Sequence, residues 1–308
     1  MKNILLTIAY DGSRFHGWQR QPNEVTVQGF LEQTLTKLFR REIRLEGTSR
    51  TDAGVHALGQ RATLRTDIGI PTERLARVVN NALCGREEGA YAVSPVRILR
   101  AEEKPEGFHA RFDAAGKKYI YRISTAAQPD VFRRNYVYFP TQKLAGSGLD
   151  VGAMQHAAAQ LVGTHDFQSF ESAGGNPRQT TVRTITGARV ITAEDALREE
   201  DALREEALPE GEAEHGCVAE RGFATQLGLR PDEILFEVRG DGFLYNMVRI
   251  ITGTLVEIGQ GKRAPEEMKD IIAAADRTTA GHTAPPYGLY LAEVYYGEES
   301  LRQQTQLG

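Results

Sequence analysis

Apolar positions recur in two rhythms along the first hundred residues, and the rhythms alternate. Asn3–Tyr10 is a mostly apolar run of strand length, and Val27–Arg40 sets Val27, Phe30, Leu31, Leu35 and Leu38 on one helical face. Strand-like runs follow at Ile43–Glu46 and Leu58–Thr66, a helix opens after Pro71, and Ala90–Leu99 closes the series as a strand. The order is βαββαβ.

The second half carries the same kinds of element. Strands are predicted near Lys118–Ser124, Thr181–Ile191, Glu233–Arg239 and Leu289–Tyr296, and helices near Leu149–Val162, Phe243–Ile258 and Pro265–Ala275. The fold class is α+β. Two such halves divide the chain into an N-terminal domain over 1–113 and a C-terminal domain over 114–298, with a polar tail at 299–308, and sheets placed side by side leave a cleft.

Charge changes this picture more than overall composition does. The 308 residues are 41% hydrophobic and 25% charged, enough for proper cores. No run of about eighteen apolar residues occurs, and Met1–Thr7 turns polar too soon for a secretory signal, so a soluble, cytoplasmic protein is expected, with no membrane partner. Cys84 and Cys217 stand far apart without a metal-binding spacing, so neither a disulfide framework nor a zinc site is indicated.

The net charge of −4 is unevenly spread. Residues 193–216 hold ten acids against Arg198 and Arg204, a local charge of −8, which leaves +4 on the remainder. The first 150 residues carry 23 Lys and Arg against 16 Asp and Glu. That half suits a phosphate backbone, although scattered solvated charge gives the same count. The acidic segment also contains a tandem repeat, Asp195-Ala196-Leu197-Arg198-Glu199-Glu200 followed by Asp201-Ala202-Leu203-Arg204-Glu205-Glu206. Its six-residue period fits no heptad or stacked repeat, so it is expected to be an inserted surface loop, helical or disordered.

The densest chemistry lies in Gly47-Thr48-Ser49-Arg50-Thr51-Asp52-Ala53-Gly54-Val55-His56-Ala57. It strings an arginine, a carboxylate, a glycine and a histidine through a turn between two strands. Taken alone, Thr-Asp-Ala-Gly is ordinary turn chemistry, because Asp bonds its own backbone and Gly supplies positive φ. Four other strings accompany it: Tyr10-Asp11-Gly12 with Gly17-Trp18-Gln19, then Phe108-His109-Ala110-Arg111-Phe112, Lys117-Lys118-Tyr119-Ile120-Tyr121-Arg122, and Gly242-Phe243-Leu244-Tyr245-Asn246-Met247-Val248-Arg249.

Together, in this order, these strings resemble the tRNA pseudouridine synthase A family over nearly the whole chain. The resemblance implies two ferredoxin-like domains with antiparallel sheets flanking a central basic cleft, in a homodimer. It also implies isomerisation of uridine to pseudouridine in the anticodon stem-loop of tRNA, at nucleotides about 38 to 40 chosen by shape more than by sequence. The reaction breaks the N1–C1′ bond, rotates the base and joins C5 to C1′, with no metal or redox cofactor.

Residue by residue, Asp52 matches the family nucleophile, and a carboxylate can add covalently to carbon and later leave. To stay ionised in a partly closed site Asp52 needs a cation, and Arg249 matches the residue that pairs with it. Tyr119 matches the tyrosine that stacks on the target base, while Tyr121 is left to packing. Arg50 matches the arginine that enters the stack and holds the base out; its other reading is an ion pair to Asp52 or a phosphate contact. Phe108, His109, Ala110, Arg111 and Phe112 fall where the family contacts RNA, as does the loop with Gly175, Asn176, Pro177, Arg178 and Gln179. His56, His16 and His165 stay outside the catalytic set. The family has only a short turn where this chain carries 193–216. The competing expectations are an RNA-binding module without chemistry and a synthase with a different RNA target.

Overall fold

The computed structural model describes residues 1–84, 93–140, 148–174, 179–207 and 222–297. Two units form: Met1–Ala115 together with the strand from Tyr290 onward, and Gly116–Leu289.

In the first unit, β1 (Lys2–Tyr10) lies in the middle of the sheet. Ile4, Leu5, Leu6, Ile8 and Tyr10 are all buried, as in a strand covered on both faces. It pairs antiparallel with β3 (His56–Thr66), Lys2 opposite Thr66, and with β4 (Val96–Lys104), Asn3 opposite Lys104. The other edge of β3 is shared. β2 (Leu45–Gly47) pairs antiparallel near its end, and β9 (Leu289–Tyr296) pairs parallel at its start, with His56 opposite Tyr290. Helices α1 (Val27–Phe39) and α2 (Thr72–Leu83) bury Val27, Leu31, Leu35 and Leu75, Val79, Leu83, each set at i, i+4, i+8. Thr26 caps α1 by accepting the Gly29 N–H.

The second unit is an antiparallel sheet in the order β5 (Ala114–Ser124), β8 (Glu233–Gly240), β7 (Val182–Thr192), β6 (Gly163–Asp166). Its helices are α3 (Val151–Ala159), α4 (Ala193–Ala207), α5 (Phe223–Leu227), α6 (Met247–Gly259) and α7 (Glu267–Ala274). α6 is buried nearly all round, from Met247 through Ile258.

Several expectations change. The halves share an order of elements but not a strand order. In the first unit α2 carries the chain past β1 to reach β4, giving β4-β1-β3-β2, whereas α4 and α5 return the chain to the strand beside β7. The strand predicted to close the second half, β9, pairs with β3 of the first. The strand predicted from Ala90 starts at Val96, just after Pro95, which has no N–H for a ladder; Ala90–Ala92 lie outside the described residues. The helix predicted from Phe243 starts at Met247, because Asn246 takes the left-handed conformation with φ +61.

The acidic segment is helical as far as it is described, with 208–216 lying outside. The first copy of its repeat is built into the fold. Ala196 is buried, Glu199 accepts from Arg189 Nη1 at 2.8 Å, and the buried Glu200 carboxylate accepts the Ala224 and Thr225 N–H groups at the start of α5. Asp201, Ala202 and Leu203 of the second copy are exposed.

Alternation along β5 separates Tyr119 and Tyr121 from Lys118 and Arg122, but the charged face is not open to water. Lys118 and Arg122 are buried against Glu237 and Glu233 of β8, the latter in a two-pronged bond of 2.8 and 3.0 Å. Among the described residues no helix is long and apolar enough to cross a membrane.

Candidate active site

Asp52 sits half-buried in the loop joining β2 to β3, and the residues around it fix that loop from every side. The Val55 N–H donates to the Asp52 carbonyl at 3.2 Å, and Gly54 has φ +79, so the chain turns here and the glycine supplies the positive φ expected of Thr-Asp-Ala-Gly. Thr51, buried beside Asp52, lies 2.8 Å through its hydroxyl from Tyr10 Oη. On the other side of Arg50, Gln60 holds the Ser49 peptide at both ends: Nε2 donates to its carbonyl at 2.7 Å and Oε1 accepts its N–H at 3.2 Å. Thr48 lies 2.8 Å from the Ala110 carbonyl and 3.0 Å from Tyr296 Oη.

The opening string of the chain supplies much of this bracing. Trp18 N–H donates to the Thr51 carbonyl at 3.1 Å, and Gly54 N–H donates to the Phe15 carbonyl at 3.2 Å. Gly17 has φ +86, and a Cβ on it would come within 2.6 Å of the Thr51 carbonyl oxygen. Only glycine allows so close an approach in that conformation. Tyr10, Phe15, Gly17 and Trp18 therefore have a structural task that a sequence alone does not reveal: they hold the Asp52 loop.

His56 is part of the same bracing. It is buried, stacks on Tyr290 with ring centroids 4.7 Å apart, and its Nδ1 accepts the Gly12 N–H at 3.1 Å. Asp11 Oδ1 also lies 3.3 Å from that nitrogen. An Nδ1 that accepts from a backbone N–H carries no proton to give, so we read the Asp11 approach as proximity and not as an ion pair.

Arg50 is exposed, two residues before Asp52. The Phe108–Phe112 string divides into an inner and an outer part. Ala110 is fully buried, and Phe108 packs on Tyr296 with centroids 5.1 Å apart. Tyr296 donates to the Ala110 carbonyl at 2.8 Å; burial pushes its phenol up to about 12, which keeps it a donor. His109 Nδ1 accepts the Arg111 N–H at 3.0 Å, and the turn presents Arg111 and Phe112 outward, Phe112 being 75% exposed.

In the second unit, Tyr119 is buried on β5 and meets Phe243 edge-on, with centroids 5.1 Å apart. Tyr121 is fully buried and donates to the Pro285 carbonyl at 2.6 Å, as expected of a packing residue. Arg249 stands in the first turn of α6, where Nη1 donates to Asn246 Oδ1 at 2.6 Å and Nε to the Ala284 carbonyl at 2.8 Å. Asn246 in turn donates through Nδ2 to Ser172 Oγ at 3.1 Å. Gly175, Asn176, Pro177 and Arg178 lie outside the described residues, and Gln179 is exposed at the next position. Among the described residues no three His, Cys, Asp or Glu side chains gather as metal ligands would.

Residues 6–113 and 157–297 match the family model described as tRNA pseudouridine synthase. The chain belongs to the tRNA pseudouridine synthase family. It is a family of isomerases. The match includes Asp52 with all its braces from Tyr10 to Gln60, and Arg249 with its partners. Curated relatives agree over nearly full length. The chain is 43% identical to tRNA pseudouridine synthase A of Halalkalibacterium halodurans, over 94% of this chain and 90% of that one. It is 41% identical to the protein of that name from Brevibacillus brevis and 39% to that from Acetivibrio thermocellus, in each case over 96% of this chain and all of the relative.

Proposed function

We propose that this chain isomerises uridine to pseudouridine in tRNA, in the anticodon stem-loop at nucleotides about 38 to 40, where arm shape guides selection. The observation that carries the reading is the loop bearing the half-buried Asp52, held at Thr51 and Ser49 by Tyr10, Trp18 and Gln60, in a chain of this family. Asp52 acts as the nucleophile, and a loop held in place in advance presents its carboxylate to the reacting carbon with less freedom to lose.

Arg249 supplies the cation that keeps Asp52 ionised, and Tyr119 stacks on the target base. Support for these roles is their position in the family strings and the restraint on each side chain, Arg249 by Asn246 and Ala284 and Tyr119 by Phe243. Arg50, exposed and next to the braced loop, enters the stack and holds the base out. Arg111 and Phe112 present a cation and an aromatic face to the RNA, and the loop from Gly175 to Gln179 adds a second contact. The first unit reads as ferredoxin-like from its order β4-β1-β3-β2. The enzyme works in the cytoplasm as a homodimer.

The test is to incubate the protein with unmodified tRNA and map the pseudouridines formed. Modification confined to the anticodon arm is expected. Pseudouridine in another stem would show a shifted target, and tight binding without any pseudouridine would show an RNA-binding module instead.

A further inference from the structure

The loop after α7 runs back along α6 and is fastened to it repeatedly. Gly281 N–H donates to Thr254 Oγ1 at 2.9 Å, His282 N–H to Glu257 Oε1 at 3.1 Å, and Ala284 N–H to the Arg249 carbonyl at 3.0 Å. Arg249 Nε returns a bond to the Ala284 carbonyl. The fit is close enough that a Cβ on Gly253 would overlap the His282 carbonyl.

At the centre of this loop His282 bridges two side chains from other parts of the unit. Its Nδ1 lies 2.9 Å from Glu257 Oε1 and its Nε2 lies 3.1 Å from Tyr138 Oη. A carboxylate can only accept, so Nδ1 donates to Glu257, and in the neutral imidazole Nε2 is then the acceptor for the Tyr138 hydroxyl. Both partners suit those roles. Tyr138 is pushed up by burial and by nearby Tyr287 and Glu257, which keeps its proton in place. Burial would raise the Glu257 carboxyl, but the His282 bonds and Arg263, whose Nε donates at 2.8 Å, hold it below the usual range.

We propose that the Glu257–His282 pair positions Arg249, by fixing the loop whose Ala284 peptide grips both the backbone and the guanidinium of that arginine. The proposal rests on the catalytic reading of Arg249. Glu257 lies eight residues further along α6 than Arg249, about 12 Å by helical rise, and the guanidinium bonds from Nε and Nη1 go to Ala284 and Asn246, not to the pair. Its effect passes through Ala284. A guanidinium serves a carboxylate best in one plane and one orientation, and a long side chain keeps that orientation only if its surroundings do.

The experiment compares His282→Ala, His282→Asn and Glu257→Gln with the wild type in steady-state kinetics on unmodified tRNA, with thermal unfolding alongside and Arg249→Lys as reference. His282→Ala should lower kcat about 10- to 100-fold, the range seen when a distant change misplaces a catalytic group, while KM stays within about twofold. His282→Asn, whose amide can donate to Glu257 from the Nδ1 position, should recover most of the loss, and Glu257→Gln should show the same kcat-specific effect. A His282→Ala enzyme with kcat within about twofold of wild type, beside an inactive Arg249→Lys, would overturn the proposal and leave the role of Arg249 intact. A fall in kcat that merely follows the folded fraction would also overturn it. An active Arg249→Lys enzyme would instead overturn the underlying reading, and the proposal with it.

Discussion

The hydroxyls of Tyr10 and Thr51 are 2.8 Å apart and buried, 41 residues apart in sequence, and their hydrogen bond ties the end of β1 to the residue next to Asp52. Burial of both side chains keeps bulk water from taking over the bond. Tyr10→Phe leaves the Thr51 hydroxyl unsatisfied, which should cost about 1–3 kcal/mol of stability. It should also lower kcat more than it raises KM, because the loop carrying the carboxylate loosens. Chemical denaturation and steady-state kinetics on the same variant check both; an unchanged kcat would show that this brace serves the fold alone.

Gly17 is a second point of contact with the loop. Its φ of +86 and the 2.6 Å separation between a built Cβ and the Thr51 carbonyl leave no room for alanine. Gly17→Ala should therefore be less stable by about 1 kcal/mol or more and nearly inactive, while Gly69→Ala, in open space on the same unit, should behave as wild type. Equal melting temperatures for the two variants would contradict this.

Acid should weaken the second unit through Glu237. Burial pushes its carboxyl up, but Lys118 and Arg189 outweigh that and hold it below its ordinary 4.5. A depressed carboxyl is protonated in the unfolded chain first, so the stabilisation is fully present above about pH 4.5 and is lost as pH falls through the folded value. Glu237→Gln removes the buried carboxylate that faces Lys118 and Arg189, the latter keeping Glu199, and should cost about 3–5 kcal/mol at neutral pH. Its melting temperature should then depend less on pH between about 5 and 3 than that of the wild type. Parallel acid limbs in the two proteins would count against Glu237 as the responsible group.

The two copies of the repeat should differ in worth. Glu200 holds two backbone N–H groups at the start of α5, so Glu200→Ala should cost about 0.5–2 kcal/mol, as loss of a cap does. Leu203→Ser, on the exposed second copy, should stay within about 0.5 kcal/mol of wild type. Thermal unfolding of both variants decides it.

Much of the first unit was legible because its apolar spacing is regular. The helical stripe from Val27 to Leu35 and the strand from Asn3 to Tyr10 appear where the pattern puts them. The pairing of β9 with β3 was not legible, since periodicity says which residues share a face and nothing about which strand lies alongside. The same limit explains Lys118 and Arg122: alternation put them on one face, and only their burial and their pairing with Glu237 and Glu233 across the ladder show that this face is closed to water. The Asp52 string stood out by its residue types. Its braces did not, because the Tyr10 hydroxyl, the Trp18 N–H and the Gln60 amide reach it from different strands and turns, and residue types far apart in sequence do not show which loop they hold.

The central claim is that Asp52 is the nucleophile of uridine isomerisation. The most direct test uses unmodified tRNA tritiated at C5 of uridine, because joining C5 to C1′ expels that hydrogen to water. Wild-type protein should release tritium and Asp52→Ala should release none while still binding the tRNA; release by Asp52→Ala at a rate near that of the wild type would contradict the claim.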